Sequence, residues 1–131
     1  MSAASVLARG RSAAQALMVD TCTIRHQVST STSPLDGHTY PQYETVYSGQ
    51  CRVQQALAQG ARVEAGEVEP VLLRLEVQLP VVGTEGLERG DLVTITTCVH
   101  DADLVDREFR IRDLHHKTHA TARRIQVEEV T

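Results

Sequence analysis

The chain has 131 residues, 41% of them hydrophobic, and carries a formal net charge of −4 at pH 7. That length supports one domain able to bury its own core without disulfides or a metal. The acidic balance, and aromatics limited to Tyr40, Tyr43, Tyr47 and Phe109, argue against a general nucleic-acid binder built on basic grooves and stacking rings. No run of about 18 apolar residues occurs, so no segment reads as a membrane-spanning helix, and the N-terminus lacks the apolar stretch of a secretion signal.

Residues 3–18 read as a helix, with Val6, Ala13 and Leu17 on one side and Leu7, Ala14 and Met18 beside them. Gly10 lies inside it and costs about 1 kcal/mol relative to Ala, so this helical arm over residues 1–19 needs a surface to dock on. Residues 20–131 read as a single β domain. Thr21–Val28 forms a first strand with Cys22, Ile24, His26 and Val28 on one face. The following STSTSPLDGHTYP, with Pro34, Asp36-Gly37 and Pro41, reads as a polar loop. Tyr43–Gln54 is a second strand, and Ser48-Gly49 marks a candidate bend or bulge.

Residues 55–70 lack a period and hold Gly60, Gly66 and Pro70, which predicts an exposed loop. Val71–Leu79 is the clearest strand: Val71, Leu73, Leu75, Val77 and Leu79 share one face, with Arg74, Glu76 and Gln78 opposite. The run Gly83–Gly90 (GTEGLERG) has the wrong spacing for a dinucleotide fingerprint and leads into a strand, so it reads as turns. Leu92–Val99 follows, with Val93, Ile95 and Val99 inward. After an acidic connection at Asp101–Asp106, strands Arg107–Leu114 and Ala122–Val130 form a terminal hairpin. The expected fold is mainly β, a small antiparallel barrel or sandwich of about six strands with an N-terminal helix.

Cys22, Cys51 and Cys98 stand far apart with no C-x-x-C pattern, and read as reduced, mostly buried thiols of a cytosolic setting. Cys22 and Cys51 fall on neighbouring candidate strands, and the sequence leaves open whether they meet. His115, His116 and His119 form the cluster HHKTH, whose imidazoles suit zinc. Three histidines in one turn point in different directions, however, and Lys117 adds a positive charge beside them. No catalytic, cofactor-binding or metal site is expected on this reading. The alternative of another class is a small metal-dependent hydrolase using His115–His119.

Charge is distributed in blocks. The terminal hairpin gathers Arg107, Arg110, Arg112, Lys117, Arg123 and Arg124, whereas Glu64, Glu67, Glu69, Asp101 and Asp103 make the middle acidic. Blocks of opposite sign suit self-assembly, in which a basic patch on one copy meets an acidic patch on another. Arg110, Arg112, Arg123 and Arg124 are therefore the candidate interface cations, and Glu64, Glu67, Glu69, Asp101 and Asp103 their candidate partners.

Taken in order, the blocks VLARGRSAAQALMVDTCTI, YETVYSGQCRVQ, LRLEVQLPV, LERGDLVTIT and FRIRDLHHKTHATARRIQVEEV cover nearly the whole chain. Together they resemble the small head–tail connector, or stopper, proteins of tailed bacteriophages, especially those of actinobacterial siphophages. The resemblance implies a non-enzymatic virion protein at the neck, assembled in the bacterial host cytoplasm. It would form a homo-oligomeric ring of six or twelve copies between the portal–adaptor complex and the tail terminator or tail tube proteins. Such a ring helps to retain packaged DNA, which passes through its channel without sequence recognition. The resemblance further implies a loop that narrows the channel. Residues 58–69, with Gln59, Gly60, Arg62, Glu64, Gly66 and Glu67, are one candidate, and Thr30–Gln42 competes. A tail terminator or another neck ring protein is the related alternative.

Overall fold

In the computed structural model the described residues are 2–55 and 74–130. They form helix α1 (Ala3–Ala16), strands β1 (Asp20–Thr32), β2 (Thr39–Gln55), β3 (Arg74–Leu79) and β4 (Leu92–Thr97), a short 3-10 helix (Ala102–Leu104), and strands β5 (Glu108–His115) and β6 (Arg123–Glu129). All strand pairs are antiparallel. The sheet runs β1-β2-β3-β6-β5-β4, and β4 returns to pair with β1, so it closes as a barrel rather than splitting into a sandwich. The mainly β fold with one N-terminal helix is the one the sequence predicts.

Period-two alternation fills the barrel. Leu75, Val77 and Leu79 of β3, Val93 and Ile95 of β4, Phe109 and Ile111 of β5, and Ile125 and Val127 of β6 all point inward, where Cys22, Ile24 and Cys51 meet them. Each such side chain contributes about 1.5–3 kcal/mol when fully buried. Phe109, the largest, has no exposed surface. Gln78 departs from its expected solvent face: it is buried and donates from its Nε2 to Gln54 Oε1 at 2.6 Å.

Several boundaries differ from the sequence reading, each for a physical reason. The stretch read as a loop, Thr30–Gln42, is mostly strand. β1 and β2 pair from Asp20↔Cys51 out to Thr32↔Thr39, leaving only residues 33–38 as the turn. Thr is a good strand former, and Ser is accepted beside it once a partner strand supplies the ladder bonds. The register runs regularly through Ser48 and Gly49 and shifts instead at Val46 and Val28, each an extra residue in the ladder. Val28, expected to share the face of Ile24, is 54% exposed, because β1 has by then left β4 and no barrel wall lies behind it. Val99 is 63% exposed, since β4 ends at Thr97 and the chain turns away from the core. The acidic connection contains a 3-10 turn capped by Asp101, whose Oδ1 accepts the Asp103 N–H at 3.0 Å. Residues 71–73 of the predicted third strand, and the predicted loop beyond Gln55, lie outside the described residues.

Helix α1 starts at Ser2, whose Oγ accepts the Ser5 N–H at 3.2 Å, and ends at Ala16, two residues short of the predicted end. None of its residues is buried. It is seated at its middle. A Cβ on Gly10 would stand 2.7 Å from Thr121 Cγ2, so glycine is what lets the helix approach the β5–β6 turn. Arg11 Nε donates to Ala120 O at 3.2 Å beside it.

Truncation of Phe109 to Ala is expected to cost about 3–5 kcal/mol in urea unfolding, whereas Val99→Ser stays within about 0.5 kcal/mol of the parent. Equal effects from the two substitutions would contradict the assignment of inside and outside.

Candidate interaction surface

Among the described residues the closed barrel carries one long projection. Beyond the barrel, β1 and β2 continue as a two-stranded arm with Ser29↔Gln42, Thr30↔Pro41 and Ser31↔Tyr40 opposite each other. Every residue from 27 to 32 and from 39 to 45 is exposed, so neither face of the arm rests on the barrel. At the tip, Ser33 N–H donates to His38 O at 2.9 Å and Gly37 N–H to Ser33 O at 3.0 Å. Asp36 braces this turn, accepting the Tyr40 hydroxyl at 2.7 Å and the His38 N–H at 2.9 Å. Those two bonds, Tyr40's first, hold the Asp36 carboxyl below its ordinary range and push the Tyr40 phenol up. Leu35 sits at the apex, 97% exposed.

A polar cluster clamps the root of the arm. Asp91, at the mouth of β4, is buried; its Oδ2 accepts the Glu88 N–H at 3.0 Å, and its Oδ1 lies 2.5 Å from His26 Nδ1. His26 Nε2 faces Glu88 at 3.7 Å. The hydrogen bond to Asp91 is the main reason His26 titrates above its ordinary range; partial burial opposes it, and the charges of Asp91, Glu88 and Glu44 add to it. Next to it, Arg25 donates to Glu108 at 3.2 Å and lies over the Tyr43 ring, 5.2 Å from its centre. The pattern reading missed this cluster, having placed His26 on the inner face. The available signal was a lone acid, Asp91, standing between a glycine turn and an apolar strand.

The predicted interface cations are gathered on the terminal hairpin but engaged within the chain. Arg112 pairs with Glu128 at 3.3 Å, Arg124 with Glu76 at 3.8 Å, and Arg110 donates to Gly90 O at 3.3 Å. Arg123 Nε donates to Thr84 Oγ1 at 2.8 Å, its NH2 donates to Val81 O at 3.3 Å, and its NH1 lies 3.2 Å from His116 Nδ1. Arg107 is held between Asp103 and Glu129, each at 3.0 Å. Glu128 and Glu129, within the same hairpin, thus offset much of the positive charge read there. Arg112 and Arg124 are more than half exposed while their partners Glu128 and Glu76 are largely covered, so these pairs contribute on the order of 1 kcal/mol and the cations can turn to another chain at modest cost. Asp101 and Asp103 lie together on the 3-10 turn. Glu64, Glu67, Glu69 and the loop candidates Gln59, Gly60, Arg62 and Gly66 lie outside the described residues.

His115, His116 and His119 do not converge, and among the described residues no group of three or more His, Cys, Asp or Glu is placed to hold a metal ion. The GTEGLERG run is a series of turns, with positive φ at Gly83, Gly86 and Gly90, pinned to the barrel by the buried Leu87 and Thr84. Thr84 Oγ1 donates to Pro80 O at 2.5 Å and accepts from Arg123. Cys22 and Cys51 do meet, as free buried thiols. Their mutual hydrogen bond, together with burial, pushes the Cys51 thiol far up. Burial likewise raises the Tyr47 phenol to about 12, and its hydroxyl donates to Gln50 O at 2.6 Å.

A family model, described as a family of unknown function (DUF6093), matches residues 10–128. The chain belongs to that family. No curated protein matches it. Among solved structures, the solution structure of protein SF1141 from Shigella flexneri 2a is similar, with a TM-score of 0.57 and 14% identity over 86% of this chain and 92% of that one. At that identity the likeness concerns the fold alone. No helix among the described residues is long and apolar enough to cross a membrane.

The His26–Asp91 pair predicts a sign. Because the folded His26 titrates above 6.5, its contribution to stability is fully present below about pH 6.5 and fades as pH rises through the folded value. An NMR titration should place His26 above 6.5 in the parent and lower it in Asp91→Asn; an unchanged midpoint in the variant would remove Asp91 as the cause. Separately, Thr84→Val removes the acceptor of Arg123 Nε and the side-chain donor to the Pro80 carbonyl, and should cost about 1–3 kcal/mol in thermal or urea unfolding.

Proposed function

We propose that this protein is a structural component of a tailed-phage virion: a head-to-tail stopper or connector ring, and not an enzyme. It would sit at the neck between the portal–adaptor complex and the tail, assembled in the host cytoplasm, where it helps to retain packaged DNA and to dock the tail. The observation that carries this reading is the arm. The barrel interior is filled by apolar side chains, yet the barrel extends a solvated hairpin that makes no contribution to this core. An element that orders itself without burying anything is accounted for by contacts outside the chain.

The sequence blocks that resemble phage connectors add the setting. In a ring, the arm Thr30–Gln42 is the described candidate for the segment that narrows the channel, with residues 58–69 as the other. The net charge of −4 keeps the ring from adhering to the passing DNA. Engaged but exposed cations at Arg110, Arg112 and Arg124 offer exchangeable contacts to adaptor or tail proteins.

Light scattering and negative-stain imaging of the purified chain, alone and mixed with its portal–adaptor complex, test the proposal. Rings, or a cap added at the distal end of the connector, are the expected result. A monomer that never joins the connector would overturn it. A ring found only at the end of tail tubes would reassign the protein as a tail terminator.

A further inference from the structure

Barrel closure leaves unusual strand edges on this molecule. β1 pairs with β4 only from Thr21 to Arg25, and β2 pairs with β3 only from Arg52 to Gln55. Along the arm, therefore, the outer edge of each strand has no strand partner among the described residues. Its backbone N–H and C=O groups form two open rows, one on β1 and one on β2. Natural edges are commonly guarded by Lys, Pro or inward charges. The β1 edge from Gln27 to Thr32 (QVSTST) has none of these, and Val28, Thr30 and Thr32 favour strand pairing. The β2 edge has one guard, Pro41, whose missing N–H removes a single ladder bond.

From these edges we infer that the arm is the docking element between copies of this chain: the open β1 edge of one arm pairs with the open β2 edge of the next. The inference rests on the ring reading and deepens it. In a cyclic ring with the arms parallel to the axis, every β1 runs one way and every β2 the other. A β2 edge then meets its neighbour's β1 edge in antiparallel register, the pairing both strands already use. The contact is heterologous, so it propagates around the ring and closes without leaving a free edge. It also stabilises a hairpin that two strands alone would hold only marginally.

The charges suit head-to-tail pairing better than self-pairing. From Thr21 to Thr32, β1 carries Arg25 and His26 and no acid, whereas from Thr39 to Cys51, β2 carries Glu44 and no Lys or Arg. Within one arm His26 and Glu44 are directly opposite. At level register the Glu44 of one copy therefore also stands at the height of the neighbour's His26. Two β1 edges meeting about a two-fold axis would instead place no acid across the seam from His26.

Cross-linking between separately labelled full-length chains tests the pairing. In a Cys98→Ser background, Thr30→Cys chains are mixed in turn with Tyr40→Cys, Gln42→Cys or Glu44→Cys chains and mildly oxidised, alone and on the connector. Cys22 and Cys51 are buried and do not compete. Mixed dimers are expected for at least one partner, with Thr30→Cys chains alone giving none. In parallel, a variant with residues 29–42 replaced by Asn-Gly keeps every core residue, confirmed by circular dichroism, and is expected to lose assembly.

Dimers of Thr30→Cys alone, or no mixed dimer at any partner position, would overturn the inference. If the shortened variant still assembles like the parent, arm pairing fails and the ring reading stands. If mixed dimers form but the chain never joins the connector, the placement in the neck fails and the pairing stands.

Discussion

The pairing of β1 with β4 is the contact on which the rest depends. Five strand-to-strand ladders would leave an open sheet with two raw edges and one exposed face. The sixth, running from Thr21↔Thr97 to Arg25↔Leu92, wraps that face into a sealed core. Thr21 reinforces the seam through its hydroxyl, 2.7 Å from those of both Thr96 and Thr97. Within the barrel, closure gives every strand a partner on both sides, the complete remedy for sheet edges there. It also fixes where β1 and β2 outlast their neighbours, and hence where the arm begins.

Around that seam, the loops are located by a few buried polar side chains. Asp91 ties the 88–91 turn to β1 through His26, so the end of β4 and the root of the arm form one unit. Thr84 does the equivalent work at the other turn through Arg123. Because these groups are buried and hydrogen-bonded, removing one partner costs more than the net worth of the bond. The exposed ion pairs of the terminal hairpin behave differently. They cover the barrel's outside cheaply and hold few side chains in fixed places.

Much of the barrel was legible because its strands are half-buried, so apolar and polar residues alternate. Leu75-Val77-Leu79 and Phe109-Ile111 announced their inward faces directly. The arm was not legible for the converse reason. With both faces in water, it has no alternation to show, and its Ser, Thr, Pro and Gly content reads as loop chemistry. His26 and Val28 continue the alternation of Cys22 and Ile24, but β1 leaves β4 after Arg25, so the same parity no longer leads into the core. Gly10 looked like a flaw in a helix, but it is the contact point that seats α1, a role visible only with Thr121 beside it. The basic character of the terminal hairpin was overstated because Glu128 and Glu129 balance it from the same strand.

β1 serves at once as a stave of the barrel and as a rail of the arm, continuous from Asp20 to Thr32 with a bulge at Val28. A tensile load applied at Leu35 along the arm therefore passes straight down the strand axis into the seam with β4. There it is shared by all the ladder bonds in shear, instead of peeling them one at a time. The hairpin is thus anchored like a tenon in the barrel wall: a pull on its tip meets the strongest direction of the sheet.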